Sequence, residues 1–257
     1  MNPKEFVKEY CIKSLVCCFS GGKDSLCATH YVMRELEGVD IDKYVVFVDT
    51  TVMIPTVVDF VKDVCAKFGW NLKILSPEKS FWDMVKAGMP MPTMHRRWCC
   101  YYLKLKPITD FTKKLPPQRA EITGLRSDES IRRRRMKLKQ IYLDKRSGAW
   151  HYAPILEWTE KDVLHYMKTH SLPMPHHYRL GIKETCQCGA FSNKKQMMIL
   201  KAQFPQLFQR FIELEAGFKS QGAAFFFKGK PTYAKDLAKQ KTLSELAETQ
   251  NRLKTER

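Results

Sequence analysis

The stretch Leu15-Val16-Cys17-Cys18-Phe19-Ser20-Gly21-Gly22-Lys23-Asp24-Ser25 decides the fold of this chain. It opens with an apolar run of strand length, and apolar residues recur at helical spacing after its last residues. Gly21 and Gly22 therefore lie at a strand-to-helix corner, where the absence of Cβ atoms lets backbone N–H groups approach an anion. Two hydroxyls and one ammonium are added by Ser20, Lys23 and Ser25. The pattern predicts a phosphate-binding loop; the alternative is an ordinary Gly-Gly turn with an incidental lysine.

Strand and helix patterns alternate after this loop. Strand patterns cover residues 44–50, 71–75 and 120–123, and a helical pattern covers residues 56–68. This order predicts an α/β fold with a doubly wound, mostly parallel, five-stranded sheet. Since the sequence has no internal repeat and no low-complexity linker, we expect a nucleotide-binding domain over residues 1–190 and a basic, helical C-terminal extension over residues 191–257.

The second predicted strand ends in polar residues. Asp49 and Thr50 stand at its carboxyl end, and ligands of parallel sheets bind outside the carboxyl ends of the strands. We therefore expect both side chains to face the ligand of the glycine loop. The alternative is that Asp49 only caps the next segment.

The composition indicates a polyanionic partner. Forty-four Lys and Arg residues against 27 Asp and Glu residues give a formal charge of +17. No run of about 18 uncharged apolar residues occurs, which excludes a membrane span, and the first residues lack the apolar region of a signal peptide. We therefore expect a cytoplasmic protein. Nine cysteines in such a chain indicate thiols or metal ligands rather than a disulfide framework.

Two further segments have a composition that suits binding. The run His95-Arg96-Arg97-Trp98-Cys99-Cys100 joins a cysteine pair to basic residues, which suits a ligand or anion site better than a core. Later, Gly124-Leu125-Arg126 precedes four consecutive arginines at positions 132–135. These arginines form either a solvated basic loop or a lid that binds phosphates through bidentate guanidinium contacts.

The glycine loop resembles the SGGxDS pyrophosphate loop of the ATP-pyrophosphatase superfamily, whose members cleave ATP between the α and β phosphates. Within that superfamily the chain resembles the PAPS reductase family, because four blocks occur in the family's order. They are the loop itself, Val48-Asp49-Thr50, Gly124-Leu125-Arg126 followed by Glu129 and arginines, and Pro154-Ile155 followed by Trp158 and Asp162-Val163. The resemblance implies the HUP fold, similar to the adenine nucleotide α-hydrolases.

The resemblance also implies a set of site residues. Lys23, Asp24 and Ser25 are the expected catalytic residues, acting on ATP with magnesium. The residues expected to bind the nucleotide are Ser20, Gly21, Gly22, Lys23, Asp24, Ser25, Asp49, Thr50, Lys104, Gly124, Arg126, Glu129 and Arg133.

Some members of this family hold a 4Fe-4S cluster with two cysteine pairs. The corresponding positions here are Cys99 and Cys100, then Cys186 and Cys188, although the second pair has one intervening residue where adenylylsulfate reductases have two. Four thiolates suit an iron–sulfur cluster, and they also suit tetrahedral zinc. We expect the cluster, because an adjacent cysteine pair is unusual in structural zinc sites; zinc and unligated thiols are the alternatives.

One departure from the family bears on function. Sulfonucleotide reductases use a cysteine near the C-terminus as nucleophile, and no cysteine follows Cys188 in this sequence. The chain then resembles the ATP-pyrophosphatase components of Dnd-type and Ssp-type DNA phosphorothioation systems. This resemblance implies adenylylation of a nucleic acid, with DNA favoured over tRNA, a cysteine desulfurase as sulfur donor, other modification-complex proteins as partners, and a homodimer. The alternatives are a sulfonucleotide reductase, a tRNA-thiolation enzyme and a non-catalytic nucleotide-sensing subunit.

Overall fold

The structure is a computed structural model that describes residues 1–191, 193–217, 225–227 and 230–240. It consists of two compact units. The first comprises Met1–Asp49, Pro55–Pro77 and Tyr102–His176. The second comprises Thr50–Ile54, Glu78–Tyr101 and the described part of His177–Arg257. The domain boundary predicted after residue 190 lies within the second unit, and the end of the predicted extension, residues 241–257, lies outside the described residues.

The first unit is built on a six-stranded sheet with the strand order β3-β2-β1-β4-β6-β5. Its strands are β1 Ser14–Cys18, β2 Asp42–Val48, β3 Leu72–Leu75, β4 Arg119–Ile122, β5 Ile141–Asp144 and β6 Ala149–Tyr152. All neighbouring pairs are parallel except β5 and β6. The predicted α/β fold with a mostly parallel sheet is confirmed.

The sheet has one strand more than the five predicted. Strand β5 is an edge strand that forms an antiparallel hairpin with β6. Gly148 closes the turn between them, because it adopts a positive φ of 65° and donates its N–H to the Asp144 carbonyl at 2.8 Å.

The helices in chain order are α1 Pro3–Glu9, α2 Lys23–Glu35, α3 Thr56–Lys67, α4 Phe81–Lys86, α5 Trp98–Cys100, α6 Lys106–Lys113, α7 Ile131–Arg135, α8 Glu160–Thr169, α9 His176–Arg179, α10 Lys194–Gln203, α11 Pro205–Ala216 and α12 Ala234–Ala238. A π-helical turn, Tyr101–Leu105, follows α5, and a 3₁₀ turn, Ser127–Glu129, precedes α7. The helix predicted over residues 56–68 is therefore present as α3. None of the helices described is both long and apolar enough to cross a membrane.

The core of the first unit centres on β1. Leu15, Val16 and Cys17 are fully buried, as expected for a central strand covered on both faces. Burial raises the pKa of the Cys17 thiol to about 12, so this cysteine is a neutral core residue at physiological pH. Cys65, on α3, is also buried, as the apolar stripe of that helix predicts.

The second unit has an aromatic core between helices α4 and α11. Trp82 and Phe211 lie with their ring centroids 4.8 Å apart, and the Arg210 guanidinium lies 4.2 Å from the centroid of the Trp82 ring. The buried carboxylate of Glu215 accepts hydrogen bonds from the backbone N–H groups at the start of α12. A short antiparallel hairpin, β7 Phe225–Phe227 and β8 Lys230–Thr232, completes the described part of this unit.

One buried histidine makes the stability of the first unit depend on pH. His151 lies on β6, where its Nε2 is 3.2 Å from the Thr123 hydroxyl and its ring stacks on Tyr142 at 4.5 Å. Burial lowers the pKa of His151 to about 4, although the nearby Asp144 opposes the shift.

We expect the free energy of unfolding to decrease as the pH falls from about 6.5 towards 4, because unfolded His151 takes up a proton in that range and folded His151 does not. Urea unfolding of the wild type and of His151→Gln at pH 7.5 and pH 5.0 checks this. The glutamine variant should lose less stability between the two values. An equal loss in both proteins would contradict the assignment.

Candidate nucleotide site

The glycine loop joins β1 to α2. Gly22 is the N-cap residue of α2 and no side chain caps the helix, so its first turn is suited to an anion. The Ser25 hydroxyl holds the loop in shape, because it donates to the Gly22 carbonyl at 3.0 Å and accepts from the Ser20 N–H at 3.1 Å. The two serine hydroxyls are themselves 3.0 Å apart. The loop thus has the strand–turn–helix context that phosphate cradles require.

Glycine is required at position 21 for two reasons. Gly21 has a φ of 78°, which lies in the left-handed region that side chains disfavour. In addition, a Cβ atom at this position would lie 2.5 Å from Cγ1 of Val57 on α3. The loop is therefore packed directly against that helix.

A second glycine brings a distant segment onto the loop. A Cβ atom on Gly124, two residues after β4, would lie 2.5 Å from the Ser25 backbone nitrogen and 2.6 Å from the Asp24 carbonyl carbon. The chain after β4 therefore crosses the first turn of α2 at a distance that only glycine permits. This crossing places the next residues, including Arg126, beside the loop.

Two cations and two carboxylates form an ion network at the start of α2. Arg126 donates from Nε to Asp24 Oδ1 and from Nη2 to Glu160 Oε2, each at 2.7 Å. Lys23 Nζ lies 3.0 Å from Asp24 Oδ2 and 3.0 Å from Glu160 Oε2. The Arg126 side chain is only 2% exposed, so its guanidinium is withdrawn from solvent and bound to these carboxylates.

The network keeps Glu160 ionised. Burial by itself would raise the pKa of this carboxyl, but hydrogen bonds and charge interactions with Lys23 and Arg126 lower it overall. Glu160 therefore carries its full negative charge at neutral pH.

The arginine-rich segment is linked to the same network. Asp128 accepts the Glu160 backbone N–H at 3.3 Å, and its Oδ1 pairs with Arg134 Nη2 at 2.8 Å. Arg133 forms an ion pair with Glu129 one helical turn away. The two predicted nucleotide contacts, Glu129 and Arg133, are thus paired with each other in this structure, and their role towards a nucleotide stays a prediction.

The remaining predicted nucleotide residues lie in three places. Asp49 directly follows β2, and its N–H donates to the Leu75 carbonyl at 2.9 Å. Lys104 lies in the π-helical turn and is half-buried. Thr50 belongs to the second unit, where its hydroxyl lies 3.6 Å from Cys186 Sγ. The structure thus brings residues 20–25, Gly124 and Arg126 together, and nucleotide contacts by all of the predicted residues stay predictions.

The four predicted metal ligands meet within the second unit. Cys99 Sγ lies 3.4 Å from Cys188 Sγ, and each of these thiols also interacts with the other member of its own pair, Cys100 or Cys186. The segment that carries Cys186 and Cys188 is held by backbone bonds to residues 52–54, including the bridge between Met53 and Cys186. The pairs, 86 or more residues apart in sequence, therefore form one cysteine cluster.

Two thiols of this cluster, Cys99 and Cys188, have raised pKa values and are protonated as they stand. The pKa of Cys99 is raised to about 12, chiefly by its hydrogen bond with Cys100 and also by burial, against an opposing effect of Cys188. Across the described ranges, no three or more His, Cys, Asp and Glu side chains are arranged to hold a metal ion. The donor set has the composition of a four-thiolate site, but metal binding would require thiol deprotonation and a rearrangement of the sulfurs. The iron–sulfur cluster and zinc therefore stay predictions.

Comparison with known proteins now assigns the family. The model of the phosphoadenosine phosphosulfate reductase domain matches residues 14–220, which include the glycine loop, the ion network and all four cysteines of the cluster. The chain belongs to this family, named for an enzyme that uses an adenine nucleotide. The predicted family resemblance is confirmed.

Curated relatives and one solved structure agree with this assignment. An uncharacterized protein of Methanocaldococcus jannaschii is 28% identical over 80% of this chain and 48% of its own length. Adenosine 5'-phosphosulfate reductases of Oceanobacillus iheyensis and Streptomyces coelicolor are 27% and 30% identical, over 62% and 60% of this chain and 63% and 62% of their own lengths. The matches thus span from about half to under two thirds of these relatives.

The fold agrees with that of phosphoadenylyl-sulfate reductase from Candida auris, solved as a phosphate complex. The two superpose with a TM-score of 0.53 at 21% identity, over 72% of this chain and 87% of that chain.

Sequence reasoning missed Glu160 as a site residue. Its only local signal is its position at the start of a helix with an approximate capping box, which places a carboxylate there for structural reasons. Its contact with Lys23 spans 137 residues of sequence. The order of strands offers an indirect signal. Strands β1, β4 and β6 are parallel neighbours, so the segments after them, which carry Lys23, Arg126 and Glu160, share one edge of the sheet.

Proposed function

We propose that this protein is an ATP pyrophosphatase that adenylylates a nucleic acid so that sulfur can replace one of its oxygens, with DNA phosphorothioate as the favoured product. The observation that carries the proposal is the cradle at the start of α2, where Lys23 and Arg126 lie side by side next to the glycine loop. Both cations bind carboxylates in this structure, and an ammonium beside a guanidinium can bind phosphate oxygens in the same way.

The proposed reaction has three steps. An oxygen of the nucleic acid attacks the α-phosphorus of ATP, the bond to the bridging oxygen breaks, and pyrophosphate leaves with that oxygen. The terminal sulfur of a persulfide on the donor then attacks the adenylylated phosphorus and displaces AMP. A second thiol of the donor proteins cleaves the resulting sulfur–sulfur bond, so the product carries sulfur in place of the oxygen and the two thiols are left as a disulfide. The donor is a cysteine desulfurase, acting with other modification proteins.

Residues of the cradle serve the first step by charge and position. Lys23 stabilises the negative charge that develops on the departing pyrophosphate, and the buried Arg126 keeps Asp24 and the lysine oriented. Ser20 and Ser25 hold the loop in its anion-binding shape. Magnesium enters with ATP and offsets phosphate charge.

The charge of the chain supports a nucleic-acid substrate. The formal charge of +17 exceeds what solubility requires, and the arginine-rich segment beside the cradle adds guanidinium groups suited to phosphates. Nucleic-acid binding of this kind weakens steeply with salt, which gives a direct test.

The cysteine cluster is assigned to a 4Fe-4S cluster in this proposal, with zinc as the alternative. Cys99, Cys100, Cys186 and Cys188 would hold it, and it would supply a sulfur-rich, redox-capable centre. Anaerobic purification followed by iron, sulfide and zinc analysis distinguishes the two metals. If the purified protein contains no iron, sulfide or zinc, the four cysteines are thiols and the metal assignment is wrong.

A second candidate is a sulfonucleotide reductase, which is favoured by the adenosine 5'-phosphosulfate reductases among the relatives. These 257 residues contain no cysteine after Cys188, the region in which such enzymes place their nucleophile. The charge of +17 and the arginine-rich segment favour a nucleic acid over a sulfonucleotide as substrate, so the reductase ranks second.

One assay separates the two candidates. Anaerobically purified protein is incubated with ATP, a cysteine desulfurase, cysteine and a thiol reductant together with double-stranded DNA, single-stranded DNA or tRNA, and separately with adenosine 5'-phosphosulfate and thioredoxin. The proposal expects AMP and pyrophosphate in equal amounts, formed faster with DNA than with tRNA. Sulfite from the second mixture, without AMP and pyrophosphate from the first, would replace the proposal with the reductase.

A further inference from the structure

The Glu160 carboxylate lies inside the proposed phosphate cradle. One oxygen, Oε2, accepts hydrogen bonds from both cradle cations, Lys23 Nζ at 3.0 Å and Arg126 Nη2 at 2.7 Å. A single anionic oxygen shared between an ammonium and a guanidinium has the same contacts as a phosphate oxygen. Glu160 therefore uses the donors that the proposed function assigns to the nucleotide.

The charges of the network are balanced with Glu160 in place. Lys23 and Arg126 contribute two positive charges, and Asp24 and Glu160 contribute two negative ones. Asp128, 3.8 Å from Arg126 Nη1, is balanced by its own ion pair with Arg134. A polyphosphate entering this neutral network would meet the repulsion of both carboxylates. At least one of them must therefore move away before phosphate oxygens can contact both cations.

Solvent exposure indicates which carboxylate moves. Both carboxylates accept from both cations, but the Asp24 side chain is 19% exposed and the Glu160 side chain is 50% exposed. Because Glu160 can turn into water and recover its hydration, its departure costs less than that of Asp24. Asp24 can then stay as the fixed partner of Arg126 Nε.

The start of α8 does not depend on the Glu160 side chain. Thr159 and Asp162 form the capping box of this helix, with the Asp162 carboxylate accepting the Thr159 N–H at 2.7 Å. Glu160 contributes its backbone N–H to Asp128, a contact that does not involve its carboxylate. The side chain can therefore leave the cradle, or be replaced, with the helix intact.

We propose that Glu160 is an internal competing anion that occupies the cradle in the absence of ligand and is displaced by the polyphosphate of the nucleotide. This inference rests on the proposed function insofar as the nucleotide phosphates bind at the glycine loop. Glu160 lowers the affinity of the site for every phosphate ligand, because the ligand must displace the Glu160 carboxylate from the two cations. A ligand without phosphates does not enter that competition.

The test compares two variants that remove the same charge. Glu160→Gln removes the competing anion and keeps the shape of the side chain. Glu157→Gln, three residues earlier and exposed, serves as the matched control. Isothermal titration calorimetry with ATP, pyrophosphate and adenosine measures binding, and thermal unfolding checks that both variants are folded.

We expect Glu160→Gln to bind ATP and pyrophosphate about three- to tenfold more tightly than the wild type, since a half-exposed ion pair is a modest competitor. Adenosine binding should not change, and Glu157→Gln should match the wild type within about twofold. Glu160→Ala, a second variant, should also bind ATP more tightly.

Two results would overturn the inference. One leaves the proposed function standing, and the other contradicts the proposed function as well. If the wild type binds ATP and both Glu160 variants bind it equally well or more weakly, Glu160 helps to build the site and only this inference is wrong. If the wild type binds neither ATP nor pyrophosphate, both the inference about Glu160 and the proposed function are wrong.

Discussion

Lys23→Ala is expected to lower ATP-dependent pyrophosphate release by at least about 100-fold, the size of effect seen when one preorganised electrostatic donor is removed from a developing charge. Lys23 is the first residue of α2, and its ammonium contacts the Asp24 and Glu160 carboxylates, where the proposed function places the pyrophosphate. Release of labelled pyrophosphate in single-turnover assays measures the effect.

The fold should tolerate this substitution. Alanine favours helix formation, and Arg126 keeps its ion pairs with Asp24 and Glu160 when the lysine is absent. Lys62→Ala, which removes an exposed lysine from α3, is the matched control and should retain wild-type activity. Unchanged pyrophosphate release by Lys23→Ala would remove the glycine loop from the mechanism.

Gly124→Ala is expected to reduce stability strongly and to abolish ATP binding. The added Cβ would lie 2.5 Å from a backbone nitrogen and 2.6 Å from a backbone carbon of α2, and neither can move as a flexible side chain does. Relief requires the segment after β4 to shift away from the loop, taking Arg126 with it. Overpacking of this kind costs about 1–3 kcal/mol or more.

The control for this variant is Gly217→Ala, whose Cβ would lie 3.6 Å from its nearest neighbour and whose φ of −75° suits alanine. Urea unfolding and ATP titration of both variants provide the measurement. We expect the Gly217 variant to match the wild type in both. An alanine at position 124 with wild-type stability and ATP affinity would show that the close crossing is not required.

The parts of the fold that could be predicted are those whose sequence pattern lies within one short stretch of the chain. The glycine loop combines an apolar strand, two glycines and a helical period within 11 residues, so its position between β1 and α2 follows from local physics. Helix α3 was predictable for the same reason, since its apolar residues recur at helical spacing. The edge strand β5 was not, because its four residues are half exposed and lie between a basic segment and a short turn.

The site was predictable only where a motif carries it. The sequence pattern indicated Lys23, Asp24 and Arg126, but it did not reveal that Arg126 closes an ion network with Asp24 at 2.7 Å. Nor did it reveal Glu160, whose partners lie on other elements more than 30 residues away. Long-range ion pairs of this kind depend on which strands are neighbours in the sheet. The spacing of apolar residues along the sequence does not reveal that strand order.

The cysteine cluster is a second case in which contacts between distant segments could not be predicted from local sequence. The first pair is a candidate because its basic neighbours suit a core poorly, and the second pair is implied by the family resemblance. The segment that carries the second pair is held by backbone pairing between residues 52–54 and 185–187, which local sequence does not reveal. That pairing also brings Thr50 to Cys186, a contact that the prediction for Thr50 did not include. Sequence proximity placed Thr50 with Asp49, whereas the fold assigns it to the second unit.

The central claim is that the glycine loop binds the polyphosphate of ATP, and a crystal structure with α,β-methylene-ATP tests it most directly. We expect the β and γ phosphates to contact backbone N–H groups of residues 21–25 and Lys23 Nζ, with the Glu160 carboxylate turned away from both cations. A nucleotide bound elsewhere, with Glu160 still paired to Lys23 and Arg126, would contradict the account.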